Sequence, residues 1–276
     1  MARFANAEAM KCDFGLRAIR RKRADGYHYF IANLTPRDIV GDVTLAVPFG
    51  QATFYNPMSG DIIPAPVYDG KLPLNLRSGE SVILYTLSAP SYEVVPIGDS
   101  RYSIFNSKDL AEIDLSSHPW ALSFIEEYPR VGESFTLDRL QTWESLSDSA
   151  AVTMGTGVYT TTFCLTRQQA AKHWLIDLGD VRESARVYLN DKFIGCAWAV
   201  PFVLDCRDAL KKGQNTLRIE VTNLPANCIS DLDRRGVKWR KMNEINVVDI
   251  NYKKTTYENW APMLSGLNSY VKLKSY

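Results

Sequence analysis

The sequence predicts an all-β protein built as two antiparallel β-sandwich domains. Three observations carry that reading. Residues 184–189 alternate cleanly, with Ala185, Val187 and Leu189 on one face and Arg186 and Tyr188 on the other. Residues 215–221 repeat the pattern, with Leu217, Ile219 and Val221 inward and Thr216, Arg218 and Glu220 outward. Side chains on a strand point to opposite faces in turn, so each segment predicts one buried and one wetter face. Between 184–189 and a return strand at 192–195 lies Asn190-Asp191, two residues that tolerate positive φ and suit a tight hairpin turn.

In chain order, residues 1–10 read as a ragged lead-in. Residues 17–23 and 27–34 form two strands around Ala24-Asp25-Gly26, the second apolar on both faces and so suited to an inner position. Residues 42–47 alternate through Val43, Leu45 and Val47. Phe54-Tyr55 runs into the Asn56-Pro57-x-x-Gly60 turn, Leu72, Leu74 and Leu76 form a short strand, and 80–87 a longer one. About seven short strands with turn signals between them make a small sandwich, assigned to residues 1–92. Residues 93–118, with Pro96, Gly98 and no sustained period, read as a linker, and 119–276 as the second domain. That domain opens on a strand at 120–124. It continues through 137–143, a turn of helix or an irregular edge, a strand at 158–165 and the apolar run 174–178. After 184–195, Asp208 to Gly213 reads as one helical turn closed by glycine.

Composition bounds the function. The chain has 276 residues, 46% of them hydrophobic and 23% charged, with a formal net charge of +1. Nothing global draws it to nucleic acid or an acidic membrane, and no apolar run approaches the roughly 20 residues of a membrane span. Residues 1–14 show no cationic segment followed by an apolar one, so a signal peptide is not expected within them. The five cysteines, Cys12, Cys164, Cys196, Cys206 and Cys228, show no C-x-x-C spacing, which argues against a zinc knuckle or a dense disulfide framework. Core filling is the expectation for most of them, Cys164 within its strand included. There is no HExxH, GxSxG or P-loop. The basic run Arg20-Arg21-Lys22-Arg23 reads as a charged edge strand.

A resemblance joins these motifs. Leu178-Gly179-Asp180-Val181, Ala185 to Asn190, Trp198-Ala199-Val200-Pro201-Phe202, Val203-Leu204-Asp205, Gly213-Gln214-Asn215-Thr216-Leu217 and Val221-Thr222-Asn223 follow one order. That order resembles the galactose-binding-like jelly roll of large glycoside hydrolases, above all the C-terminal part of the α-L-rhamnosidases of family 106 and enzymes related to family 2. Ala24-Asp25-Gly26, Tyr29-Phe30-Ile31-Ala32-Asn33 and Asn56-Pro57-x-x-Gly60 resemble the β-domain that precedes the jelly roll in the same family.

The resemblance implies a non-catalytic accessory part of an enzyme acting on plant or bacterial polysaccharide, supporting a catalytic barrel and contacting carbohydrate. Periplasmic or secreted localisation goes with it. Family members carry their catalytic carboxylates on an α/β barrel of about 250 residues, and no such alternation is present here. The alternatives are a free-standing carbohydrate-binding protein and a structural or protein-interaction sandwich. The resemblance leaves open a structural calcium ion. No Asp-x-Asp-x-Asp-Gly loop is present to hold one, and no ligand is nominated.

Asn227-Cys228-Ile229-Ser230-Asp231 falls where members show Asn-Arg-x-x-Gly-Asp, with cysteine in place of the arginine and serine in place of the glycine. The stretch 231–241 then reads as a loop carrying Asp231, Arg234, Arg235 and Trp239, nominated here as carbohydrate-binding residues. Aromatic faces take the C–H surfaces of sugars, and charged groups take hydroxyls or a carboxylate. The competing reading makes Trp239 an anchor of that loop. Trp198, sealing a sandwich end, and Trp260, leading into the last strand, are expected to be structural.

Overall fold

The computed structural model describes residues 7–58, 60–89, 111–241, 250–251, 253 and 255–275. Its contacts divide the chain into two compact units, 1–110 and 111–275. Both are antiparallel β-sandwiches.

The first unit begins with a short helix, α1 (Met10–Phe14). Met10, expected in a ragged lead-in, opens this helix and is buried in the core. Seven strands follow: β1 (Arg17–Lys22), β2 (Gly26–Ala32), β3 (Ile39–Thr44), β4 (Gln51–Tyr55), β5 (Ile62–Pro64), β6 (Lys71–Leu76) and β7 (Ser81–Leu87). Five of them form a sheet in the order β1-β2-β7-β4-β5, and β3 pairs with β6. Tyr29, Ile31, Phe54 and Leu84 from the larger sheet pack with Val43, Leu72, Leu74 and Leu76 from the smaller. Strand β2 is an inner strand, as its two apolar faces predict. Gly26 is required where the β1–β2 turn closes, since a Cβ there would sit 1.8 Å from the Thr86 carbonyl oxygen.

The second unit comprises β8 (Glu112–Asp114), β9 (Trp120–Tyr128), β10 (Phe135–Leu137), α2 (Asp148–Val152), β11 (Met154–Leu165), α3 (Arg167–Ala170), β12 (Trp174–Asp177), β13 (Val181–Arg182), β14 (Ser184–Leu189), β15 (Lys192–Ala197), β16 (Val203–Asp205), β17 (Gly213–Thr222), α4 (Ala226–Arg234), β18 (Gly266–Leu267) and β19 (Lys272–Ser275). A six-stranded sheet, β10-β9-β11-β17-β14-β15, faces a four-stranded one, β16-β12-β19-β8. One core lies between them. Leu122, Tyr159, Val187, Leu217, Ile219 and Val221 of the first sheet meet Trp174, Ile176 and Leu273 of the second. The hairpin turn is as read from sequence, with Asn190 at φ 50 and Asp191 at φ 63, the left-handed pair that a two-residue turn between twisted strands requires.

Several expectations change. The linker assigned to 93–118 lies outside the described residues as far as 110, and within its remainder Glu112–Asp114 pairs as β8 with β19. Two acidic residues around one isoleucine give no alternation long enough to announce a strand. The glycine-closed helical turn is instead a 3-10 turn at Arg207–Ala209, and Gly213 (φ 85) opens β17. Cys12, Cys164 and Cys196 are exposed, and only Cys206 and Cys228 are buried. Strand alternation explains Cys164: Tyr159, Thr161 and Phe163 take the inner face, leaving residues 160, 162 and 164 outward. Trp198 is 65% exposed rather than sealing an end. Ala197 is the inward residue there, so the next side chain turns out.

Candidate functional site

The site grows from the end of β17. Asn223 closes that strand with a buried amide that donates to the Thr153 carbonyl (3.0 Å) and to Ser265 Oγ (3.1 Å), while its Oδ1 accepts from Gly155 N–H (3.0 Å). Leu224-Pro225 then turns the chain into α4. Proline is suited to a helix start because its missing N–H would have had no partner there. The segment 231–241, expected as a loop, therefore begins within a helix that runs to Arg234.

The buried face of α4 is Asn227, Cys228, Ser230 and Leu232. Asn227 is its main attachment. Nδ2 donates to Glu144 Oε1 (3.0 Å) and to the Met263 carbonyl (2.8 Å), and Oδ1 accepts from Met263 N–H (2.8 Å). Glu144 Oε2 in turn accepts from Ser265 N–H at 3.1 Å. Helix and downstream segment are thus tied through one amide and one carboxylate. Burial pushes the Cys228 thiol up in pKa, which keeps it protonated and unreactive at neutral pH.

The helix ends in a paired cap. Gly236 N–H donates to the Asp233 carbonyl (3.0 Å) and Val237 N–H to the Leu232 carbonyl (2.9 Å), with Gly236 left-handed at φ 67. Those two bonds are the Schellman pattern, in which glycine avoids the cost of a Cβ at positive φ. The cap reverses the chain and brings Trp239 back over the helix end. Its indole N–H donates to Asp233 Oδ1 at 2.6 Å, and the other oxygen of the same carboxylate accepts from Tyr257 N–H at 2.8 Å. Asp233 thereby holds both walls of a cleft.

Three rings follow one another from the Trp239 wall of this cleft. Trp239 and Tyr257 lie 6.4 Å apart, and Tyr257 and Trp260 4.4 Å. The Arg240 guanidinium lies 5.1 Å from the Trp239 ring and 5.0 Å from Tyr257, and it donates to the Thr255 carbonyl at 2.7 Å. An open cavity of about 360 Å³ is bounded by Asp233, Lys238, Trp239, Arg240, Thr255 and Thr256. Trp260, expected to be structural, is half exposed. Aromatic faces beside two cations and a carboxylate can pack on the C–H side of a sugar ring and hydrogen-bond its hydroxyls or an acidic substituent.

The nominated residues divide. Trp239 is in the cleft. Asp231 and Arg235 form an i,i+4 ion pair of 2.9 Å on the helix, and Arg234 Nε donates back to the Ser230 carbonyl at 3.4 Å; none of these three borders the cavity. Sequence reasoning passed over Asp233, Arg240 and Tyr257. The Trp239-Arg240 step and the Tyr257…Trp260 spacing were the available signals, but only the fold joins them. Among the described residues no three His, Cys, Asp or Glu side chains cluster as a metal site of those groups would need.

Residues 145–265 match the family model described as glycosyl hydrolase 2 galactose-binding domain-like. The chain is 28% identical over 153 residues to a putative beta-glucuronidase from Formosa agariphila, a match covering 51% of this chain and 13% of that protein. It also superimposes over 96% of its length on the structure of a rhamnosidase from Novosphingobium sp. PP1Y, with a TM-score of 0.69 and 22% identity, and covers 24% of that chain. The last likeness establishes the shared fold. The chain therefore carries a galactose-binding-like module of the glycoside hydrolase type, as its motifs suggest.

Proposed function

We propose that this chain, whose second unit is a galactose-binding-like module of the glycoside hydrolase type, is a non-catalytic accessory part of an α-L-rhamnosidase-like glycoside hydrolase. In this reading it contacts carbohydrate through the cleft between Trp239 and Tyr257 and supports a catalytic barrel. The observation that carries the carbohydrate assignment is the run of three rings bridged by Arg240 and clamped by Asp233. Exposed aromatic rings normally cost free energy by ordering water. Here half-buried Trp239 borders an open cavity and half-exposed Trp260 extends the ring series through Tyr257, so the apolar face of a pyranose would replace that water. Arg240 and Lys238 supply positive charge at the cleft, so an oligosaccharide bearing uronic acid fits better than a neutral one.

What hydrolysis needs supports the accessory reading. Two carboxyl groups must flank a glycosidic bond at roughly 5 to 9.5 Å. In the cleft, Asp233 already accepts from an indole N–H and a backbone N–H, which commits it to holding the walls. The longest helix among the described residues, α4, has nine residues, whereas the relevant barrels alternate eight strands with eight helices. The expected result is that the purified chain does not hydrolyse aryl α-L-rhamnosides or aryl β-glucuronides above the uncatalysed rate. Steady turnover that disappears when Asp233 or Glu144 is replaced would overturn the accessory reading.

A further inference from the structure

The outer face of the first unit's five-stranded sheet carries a feature that sugar binding leaves unused. Strand register places Ile19 opposite Phe30, Phe30 opposite Ile83, Ile83 opposite Tyr55 and Tyr55 opposite Ile62. Direct cross-strand partners share a face, so one apolar side chain from every strand forms an unbroken stripe about 19 Å across, at about 4.8 Å per strand. The inner face of the same strands, through Tyr29, Ile31, Leu84 and Phe54, already supplies the core. An antiparallel sheet with one buried face normally presents polar residues on the other. Here Ile19 is 63% and Phe30 46% exposed, so the stripe is most open over β1 and β2, and Ile83, Tyr55 and Ile62 are partly buried. Arg17 and Arg21, two residues to either side of Ile19 and so on its face, are exposed, as is Lys22, and none of the three forms an ion pair among the described residues.

We infer that this stripe is a protein docking face, and that its occupant is a further domain of a longer chain presenting an apolar centre edged by carboxylates on the β1 side. Three isoleucines make it a poor sugar platform, because branched aliphatic groups offer hydroxyls no partners. A second copy would bring the same cations to the same face, since a two-fold contact repeats one surface. The fold is shared over 96% of this chain with a protein of which it covers only 24%, so most of such a protein is available to cover the stripe.

The inference rests on the accessory reading and names the face through which it acts. Hydroxyl-radical footprinting of the 276-residue chain and of the complete product of its gene tests it. Ile19 and Phe30 should label readily in the chain alone. In the complete product Phe30 should label about fivefold less, in proportion to its lost exposure. Combined Arg17→Glu and Arg21→Glu replacements in the complete product should restore much of the labelling, which a contact indifferent to charge would not permit. Equal labelling of Phe30 in both proteins overturns the inference; if the complete product also contains a hydrolase domain, the accessory reading survives that result. Loss of labelling with rising concentration of the chain alone, or on adding oligosaccharide, assigns the stripe to a second copy or to sugar and overturns it as well. A gene encoding no further domain overturns both readings.

Discussion

Replacing Trp143 with alanine should lower the stability of the second unit by about 3–5 kcal/mol, the range for emptying a fully buried tryptophan site. Trp143 is completely buried, meets Phe124 edge-on at 4.9 Å, and donates its indole N–H to the Tyr159 hydroxyl at 2.7 Å. That hydroxyl also accepts from Leu267 N–H at 3.3 Å. Two glycines make room for the ring. A Cβ at Gly157 would sit 2.6 Å from Trp143 Cζ2, and one at Gly266 would sit 2.5 Å from Nε1. Neighbours that leave space for one shape do not collapse readily when the shape is removed, so the cavity persists. Urea denaturation reads the effect as a lowered midpoint of the second unit's transition with an unchanged slope. A change below about 1 kcal/mol would mean that the site relaxes and that Trp143 is not central to the core.

Asn227→Leu should cost about 2–3 kcal/mol while nearly preserving volume, because it strands the Met263 N–H and carbonyl together with one oxygen of Glu144. Asn227→Asp should do little better. It keeps the acceptor for Met263 N–H but sets a carboxylate against Glu144 and a carbonyl oxygen. Both variants should also free the 255–263 segment, and with it Tyr257 and Trp260, from the helix. Sugar binding should therefore weaken beyond what the loss of stability explains, which thermal melting and titration of the same samples would separate. A fully stable Asn227→Leu protein would show that α4 is held by Cys228 and Leu232 packing alone.

The sandwich strands were legible because burial alternates in them. Residues 184–189 and 215–221 each place their apolar positions inward, and Asn190-Asp191 sits where only residues tolerant of positive φ can. Helix α4 was not legible. Its buried face is Asn227, Cys228, Ser230 and Leu232, so polar side chains occupy positions where a helical apolar period would otherwise show. Asn227 is inside because of partners 36 to 83 residues away, and such pairing has no local signature. The cleft was half legible for the same reason. Trp239 amid cations stood out, whereas Tyr257 joins it through Asp233 and the Arg240 guanidinium, and Trp260 through Tyr257. Trp198 misled because the sequence order suggested a seal, while the edge position of β15 turns its side chain outward.

Isothermal titration with oligogalacturonate and with a neutral oligosaccharide of the same length tests the carbohydrate site most directly, using the parent chain, Trp239→Ala, Trp239→Phe and Arg240→Ala. The account predicts that the acidic sugar binds more tightly. Trp239→Ala should lose about 1 kcal/mol, roughly a fivefold loss of affinity, while Trp239→Phe keeps a ring and loses less. Arg240→Ala should erase most of the preference for the acidic sugar, and all variants should melt close to the parent. Unchanged affinity in Trp239→Ala, or a fall of several degrees in its melting temperature with no selective loss of binding, would show that the tryptophan anchors the helix end and would contradict the account.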